Sequence, residues 1–309
     1  MKRLISLIAP MLLAAAIGCG GGAPPAQSPQ GSDQTAQAQP AADNVAAVGE
    51  NEDDSTADLA DHHRHHHHGG FAMFIAMSLD AIGESPDQHD AIVKIQHDMH
   101  AKMQPAKDAE KAVLLALADG VAAGQVDQAK IDAAVAQLAT ASAGVHDAVA
   151  DSINALHKTL TPPQRQALVD KLESHLTVWN HANAPDEPTA KDAHHGHIAQ
   201  LAHELQLSPD QVDKIRESFA SSMTQAPKYD RAEAEAHFQA FASAFTSENF
   251  DAHALTTGSA VNSHMATWGV NRMVRLYEAA APVLTPDQRA KAADALRHHA
   301  NYKRSDSET

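Results

Sequence analysis

The chain has 309 residues, 43% hydrophobic and 20% charged, with 4% aromatic side chains and a formal charge of -16 with histidine neutral. Scarce aromatics, and apolar positions that recur at helical rather than alternating spacing, exclude a sandwich or barrel; the class is all-α, with length for two small domains. An acidic chain lacks the basic face that releases counterions from phosphates, which argues against nucleic acid as a partner. The unusual component is 22 His, a supply of neutral nitrogen ligands for borderline metals and of charges that change near neutral pH.

In chain order, Met1-Lys2-Arg3 precede an apolar run, Leu4 to Ile17, that is too short to span a bilayer comfortably. This is the pattern of a secretory signal over residues 1–18. Its end, Ala-Ala-Ile-Gly-Cys19, resembles a bacterial lipobox, which implies cleavage before Cys19 and lipidation of that thiol. An ordinary signal cut after Ala14 to Ala16 is the alternative, with Cys19 incidental. The expected location is the periplasm, with the protein lipid-anchored to a bacterial membrane and the outer membrane favoured. Cys19 is the one cysteine, so no intrachain disulfide can form. Residues 19–61 are Gly, Pro, Ala, Gln, Ser and Asp with few large apolar groups, the composition of a disordered tether. A His-rich segment, 62–84, follows.

The folded part reads as two units, 85–183 and 205–303, separated by a His-containing spacer, 184–204, and followed by a tail, 304–309. Ser85-Pro86-Asp87-Gln88 recurs as Ser208-Pro209-Asp210-Gln211. Leu160-Thr161-Pro162-Pro163-Gln164-Arg165 recurs as Leu284-Thr285-Pro286-Asp287-Gln288-Arg289, and Asp127 recurs as Asp251. Each recurrence lies roughly 124 residues downstream, which indicates one structural unit duplicated. Each of the motifs has Ser or Thr as N-cap, Pro at the first helical position and Gln at N3 to close a capping box, so Ser85, Gln88, Thr161, Gln164, Ser208, Gln211, Thr285 and Gln288 mark helix starts.

Ile92, Ile95, Met99 and Met103 stripe the first helix, which is expected to break at Pro105. A short helix from Lys107 to Ala118 should end at Asp119-Gly120. Apolar residues from Ile131 to Leu160 predict a long helix over Asp127 to Leu160, and Leu168, Leu172, Leu176 and Trp179 stripe the next. In the second unit the helices are expected over Pro209–Met223, Tyr229–Phe245, Asp251–Val283 and Pro286–Tyr302.

The paired motifs, a long helix ending in Leu-Thr-Pro-Pro-Gln-Arg or Leu-Thr-Pro-Asp-Gln-Arg, and the segment from Ala244 to Leu255 between helices of the second unit together resemble the Spy/CpxP family of bacterial envelope proteins. The resemblance covers about Ser85 to Trp179 and Ser208 to Tyr302. The opening motif departs from the family pattern, since Ile82-Gly83-Glu84-Ser85 stands in place of Leu-Thr in the first unit and Leu207-Ser208 in the second. The resemblance implies helical-hairpin units, an antiparallel cradle that this chain would build as an intramolecular pseudo-dimer, and ATP-independent holding of unfolded envelope proteins. Relatives also include zinc-responsive and nickel- or cobalt-sensing proteins.

The histidines carry the metal reading. His62, His63, His65, His66, His67 and His68 lie in one run before the first unit, and His194, His195 and His197 stand before the second. Imidazoles among flexible glycines can converge on Zn, Ni or Cu; a solvated linker is the alternative. His97 and His100, one turn apart beside the first helix's apolar stripe, are further candidates, whereas Met99 and Met103 lie in that stripe and fill core. His146, His157, His253 and His264 are single residues on long helices and are expected to be solvated or to cap. His298 and His299 suit a helix C-terminus.

Enzyme patterns fail: His203-Glu204 is followed by Leu207 where a zinc protease needs His, no Glu precedes a His by three, and no phosphate-cradling glycine loop occurs. Binding is the default. The expected ligands are unfolded envelope proteins, divalent metal ions, or both, with no organic cofactor, no catalytic residue and no requirement for a homo-oligomer. A metal buffer or sensor without chaperone activity, and a lipid-anchored spacer, are the other readings.

Overall fold

Pro at a helix's first turn loses nothing, because that N–H has no partner in the helix, and each Ser/Thr-Pro motif does open a helix. The structure is a computed structural model that describes residues 69–79, 82–182, 197–224, 226 and 230–301. Its helices are α1 (Gly70–Ser78), α2 (Pro86–Ala123), α3 (Gln128–Thr159), α4 (Pro162–Ala182), α5 (His197–Leu205), α6 (Pro209–Met223), α7 (Arg231–Phe245), α8 (Gly258–Ala280) and α9 (Pro286–Asn301). One 3₁₀ turn, Ala252–Ala254, lies between α7 and α8, and among the described residues there is no strand. Cys19, His62 to His68, His194 and His195 lie outside the described residues. The side chain of His197, at the start of α5, does too.

Four local expectations are corrected. Pro105 does not break the first helix: α2 runs through it for 38 residues. Pro105 and Ala101, whose carbonyl loses its i+4 donor, are both exposed, so water can take that carbonyl, while Met103 and Ala106 on the opposite face are buried and hold the helix in place. The helix also passes Gly120 and stops at Gly124, which takes a left-handed φ of 79°. Gly120 serves contact instead, since a Cβ there would lie 2.8 Å from Val126 Cα. The expected helix over Asp251–Val283 is interrupted near its start. Asn154 on α3 accepts from the Ala252 N–H (2.8 Å) and donates to the Asp251 carboxylate (3.1 Å), pulling this turn onto α3 before α8 begins. Finally, α1 was not anticipated, because residues 70–78 are apolar on every side and give no amphipathic stripe.

Other elements fall close to expectation. The long helix α3 is capped by Asp127, which accepts from Lys130 N–H, and ends at Leu160. It is about 48 Å long at 1.5 Å per residue. Asp230 caps α7 by accepting from Glu233 N–H, one residue past the expected start.

The core divides into two clusters, one toward each end of the long helices. The first joins α1, the N-terminal half of α2, the C-terminal half of α3 and α4 to α7 and the start of α8, with Phe74, Trp179, Phe241 and Phe245 fully buried. The second joins the C-terminal half of α2 and the N-terminal half of α3 to α5, α6, the rest of α8 and α9. Each cluster therefore takes helices from before and after residue 190: α4 packs on α7, α9 on α2, and α3 along α8. Neither half contains a complete core. Cutting the chain at residue 190 should yield halves that are unfolded or self-associated when expressed apart and that recover helix content and a sharp thermal transition when mixed; circular dichroism and sedimentation are the measurements. Two monomeric halves that melt as sharply as the whole would contradict this packing.

Candidate functional site

The motif glutamines do more than cap. Gln88 Oε1 accepts from its own N-cap N–H at Ser85 (3.0 Å), and Gln88 Nε2 donates to Thr159 O (2.8 Å) and to Gln164 Oε1 (2.9 Å). Gln164 answers in kind: its Oε1 accepts from Thr161 N–H (2.9 Å), and its Nε2 is placed to donate to Gly83 O (3.1 Å) and is within 2.9 Å of Gln88 Oε1. The two helix starts are thus locked side by side by a reciprocal amide pair.

The second half carries the same set. Gln211 Oε1 accepts from Ser208 N–H (2.9 Å), and Gln211 Nε2 donates to Val283 O (2.8 Å) and Gln288 Oε1 (2.7 Å). Gln288 Oε1 accepts from Thr285 N–H (2.9 Å), and Gln288 Nε2 reaches Leu205 O (3.2 Å) and Gln211 Oε1 (3.3 Å). The hydroxyls are less uniform: Ser208 and Thr285 accept from the N3 amide at 3.3 Å, whereas Thr161 donates to Gln164 Oε1 at 2.9 Å.

The arginines that follow the motifs tie the halves together. Arg165 Nε donates to His157 O (3.0 Å) and Leu160 O (3.1 Å), and Nη1 donates to Ser247 O just beyond α7 (3.1 Å). Arg289 donates to Leu284 O (3.3 Å) and lies over Gly124, where a Cβ would come within 2.9 Å of Nη1.

Two of the single histidines, His146 and His157, are buried rather than solvated, and so is His237, which no sequence pattern singled out. His146 on α3 and His237 on α7 face each other with ring centroids 6.2 Å apart, and Phe71 meets His237 edge-on at 4.9 Å. Room for His146 exists because residue 258 is glycine; a Cβ there would lie 2.1 Å from its Nδ1. Thr257 Oγ1 bonds His237 Nδ1 at 2.8 Å. Burial first, and then the neighbouring His146, push the His237 imidazole down to about 4; burial lowers His146 as well. His157 is buried too, stacked on Phe250 at 5.1 Å with Nε2 2.9 Å from Ser247 O. His253 and His264 behave as expected, exposed and paired with Asp151 (3.1 Å) and Glu233 (2.6 Å). His298 and His299 lie exposed in the last turn of α9.

Of the metal candidates, His97 and His100 are exposed on α2, and Met99 and Met103 are buried in the first cluster. Among the described residues no group of three or more His, Cys, Asp or Glu side chains is placed to hold a metal ion. Among them, too, no helix is long and apolar enough to cross a membrane.

The geometry defines a class: an all-helical protein whose helix starts are clamped in pairs by Ser/Thr-Pro-x-Gln motifs. Residues 71–172, spanning α1 through the first half of α4 and the first glutamine pair, match the model of the LTXXQ motif family, which supports a Spy/CpxP-like relationship for this segment. Members of that family are generally periplasmic. No curated protein and no solved structure matches the chain.

Two outcomes follow from this geometry. Gln88→Glu should destabilise by about 2 kcal/mol in urea unfolding, more than an isolated cap loses, because a carboxylate cannot donate to Thr159 O and faces the oxygen of Gln164. A Gln88→Ala/Gln164→Ala cycle should show coupling of about 1 kcal/mol, and additive losses would mean the pair is not a unit. The second concerns pH. His237 has a depressed folded pKa, so the unfolded chain takes the proton first; its contribution is present above about 6.5 and lost as pH falls toward about 4. The loss should approach about 3 kcal/mol. His237→Phe should flatten that part of the stability–pH curve, and an unchanged slope would place the acid sensitivity elsewhere.

Proposed function

We propose that this protein is a periplasmic, ATP-independent holdase of the Spy/CpxP type, lipid-anchored through Cys19 and equipped with His-rich segments that bind Zn, Ni or Cu. The observation that carries the reading is the family match over residues 71–172, which contains the first pair of motif glutamines. Core clusters assembled from both halves support the further view that the tandem halves form an intramolecular pseudo-dimer in place of two chains. In this reading the protein is a binding protein and not an enzyme, its partners are unfolded envelope polypeptides, and it needs neither nucleic acid nor an organic cofactor.

The second reading is a metal buffer or sensor without holdase activity. It is favoured by the recurrence of a His cluster ahead of each half, His62 to His68 and His194 to His197. Imidazole donates its lone pair only when neutral, so any such affinity weakens below about pH 6.5.

A single pair of assays separates the readings. Equimolar protein should delay the aggregation of several chemically denatured clients without ATP, and replacing His62, His63, His65, His66, His67 and His68 by Asn should abolish most calorimetric Zn, Ni or Cu binding while leaving that delay intact. Metal binding with no effect on any client would favour the buffer. Client protection with metal affinity unchanged in the Asn variant would remove the first His segment from the account.

A further inference from the structure

We propose that the trough occupied by α1 is a binding site for apolar polypeptide segments about as long as α1, and that α1 is its resident, exchangeable occupant. The proposal rests on the holdase reading for its biological use and on α1 for its chemistry. Every residue from Gly70 to Ala76 is buried, as are Ser78 and Leu79; Phe74, Ile75 and Ala76 have no exposure at all. A helix built into a bundle ordinarily keeps a polar face. The short helix at the other end shows this: α5 buries Leu201 and Leu205 and exposes His203 and Glu204. By contrast α1 is surrounded, packed on α2, α3, α4 and α8.

The trough grips α1 by its main chain. Asn262 Oδ1 accepts from the Phe71 main-chain N–H (2.8 Å), and Gln96 Nε2 donates to the Ala76 carbonyl (3.1 Å). The Asn262 bond also requires glycine beside it, since a Cβ at Gly70 would lie 2.5 Å from Asn262 Oδ1, whereas the Gln96 bond reads main chain alone. The side-chain contacts are aromatic and thioether: Phe71 against Phe241 at 5.3 Å, Phe74 edge-on to Trp179 at 6.4 Å, with Met103 and Met265 in the same cluster. Aromatic and methionine surfaces adapt to varied apolar partners.

The void left beside α1, between Phe71, Ala72 and Ile75 and the side chains of His146, Val149, His237 and Phe241, is about 10 Å³, no more than one water could occupy.

The attachments of α1 suit exchange. Gly70 takes a φ of +52° at its start, and Gly83, with φ +59° and open space around it, precedes α2. Gln164 holds the Gly83 carbonyl, so the motif clamp stays closed behind a departing α1. An incoming apolar segment would restore the burial that α1 gives up.

The test uses the full chain and a fluorescent peptide of residues 69–82 carrying added C-terminal lysines for solubility. Phe71→Ser with Phe74→Ser weakens the occupant without touching the walls. The variant, if it retains its helix content by circular dichroism, should bind the peptide at least tenfold more tightly than the unaltered chain. A folded variant that binds no more tightly overturns the proposal. If the variant does not fold, hydrogen exchange on the unaltered chain decides: amides of residues 71–78 should exchange at least tenfold faster than those of residues 145–156 on α3, and equal rates overturn it. Client aggregation is measured in parallel. Tenfold tighter peptide binding with no protection of any client upholds the site and sinks the holdase reading; protection without peptide exchange does the reverse.

Discussion

The reciprocal glutamine pair is the constraint on which the rest of the fold depends. A primary amide has two donor hydrogens and an oxygen that accepts twice, and each motif glutamine has partners for all of them: its own N-cap amide, its counterpart, and the carbonyl of the strand of chain entering the other motif. No other side chain of that length can do this. Glutamate lacks the donors, and asparagine would fall short by one methylene. The four glutamines are half-buried, so water can take up part of a broken bond, but the shared partners make the bonds of each pair interdependent. Closure fixes where α2 and α4 begin relative to each other, and hence the angle at which α3 leaves both.

From that frame follows the division of the core. Two clamps, one at each end of the long helices, leave two apolar clusters, each bounded by a clamp and closed by helices from the other half. The trailing arginines reinforce the exchange, Arg165 by bonding Ser247 O and Arg289 by lying over Gly124. Charge contributes little by comparison, since ion pairs such as Lys130–Asp119 and Arg216–Asp213 are exposed.

Much of the helical framework was legible in the sequence, because capping boxes and amphipathic stripes are local signals that act within one or two turns. The boundaries of α3, α6 and α9 could be read to within two residues. The glutamine pairing was not legible: a capping box is complete without it, and the partners are 76 and 77 residues apart. The same limit concealed Asn154, whose bonds to Asp251 and Ala252 interrupt a helix that local pattern alone extends. The buried state of His146 depended on Gly258 from another helix, and no single-helix argument supplies that. Pro105 misled because a proline rule assumes that the freed carbonyl has nowhere to go. The signal for α1 was present as an unbroken apolar run, but it carries no period to distinguish a helix from a strand. The His segments remain a matter of sequence alone, since His62 to His68 fall outside the described residues.

The burial of α1 also has a bearing on how the chain comes into being. Its Phe71 amide is held by Asn262, 191 residues later. At synthesis rates of about 5 to 20 residues per second, that interval is roughly 10 to 40 s. When α2, α3 and α4 are complete, the aromatic wall supplied by α7 and the acceptor supplied by α8 do not yet exist. Long-range closure of this kind slows folding relative to helical proteins whose contacts are local. The most apolar of the described helices is also the first of them to be synthesised, and it is sheltered only after most of the chain has followed it.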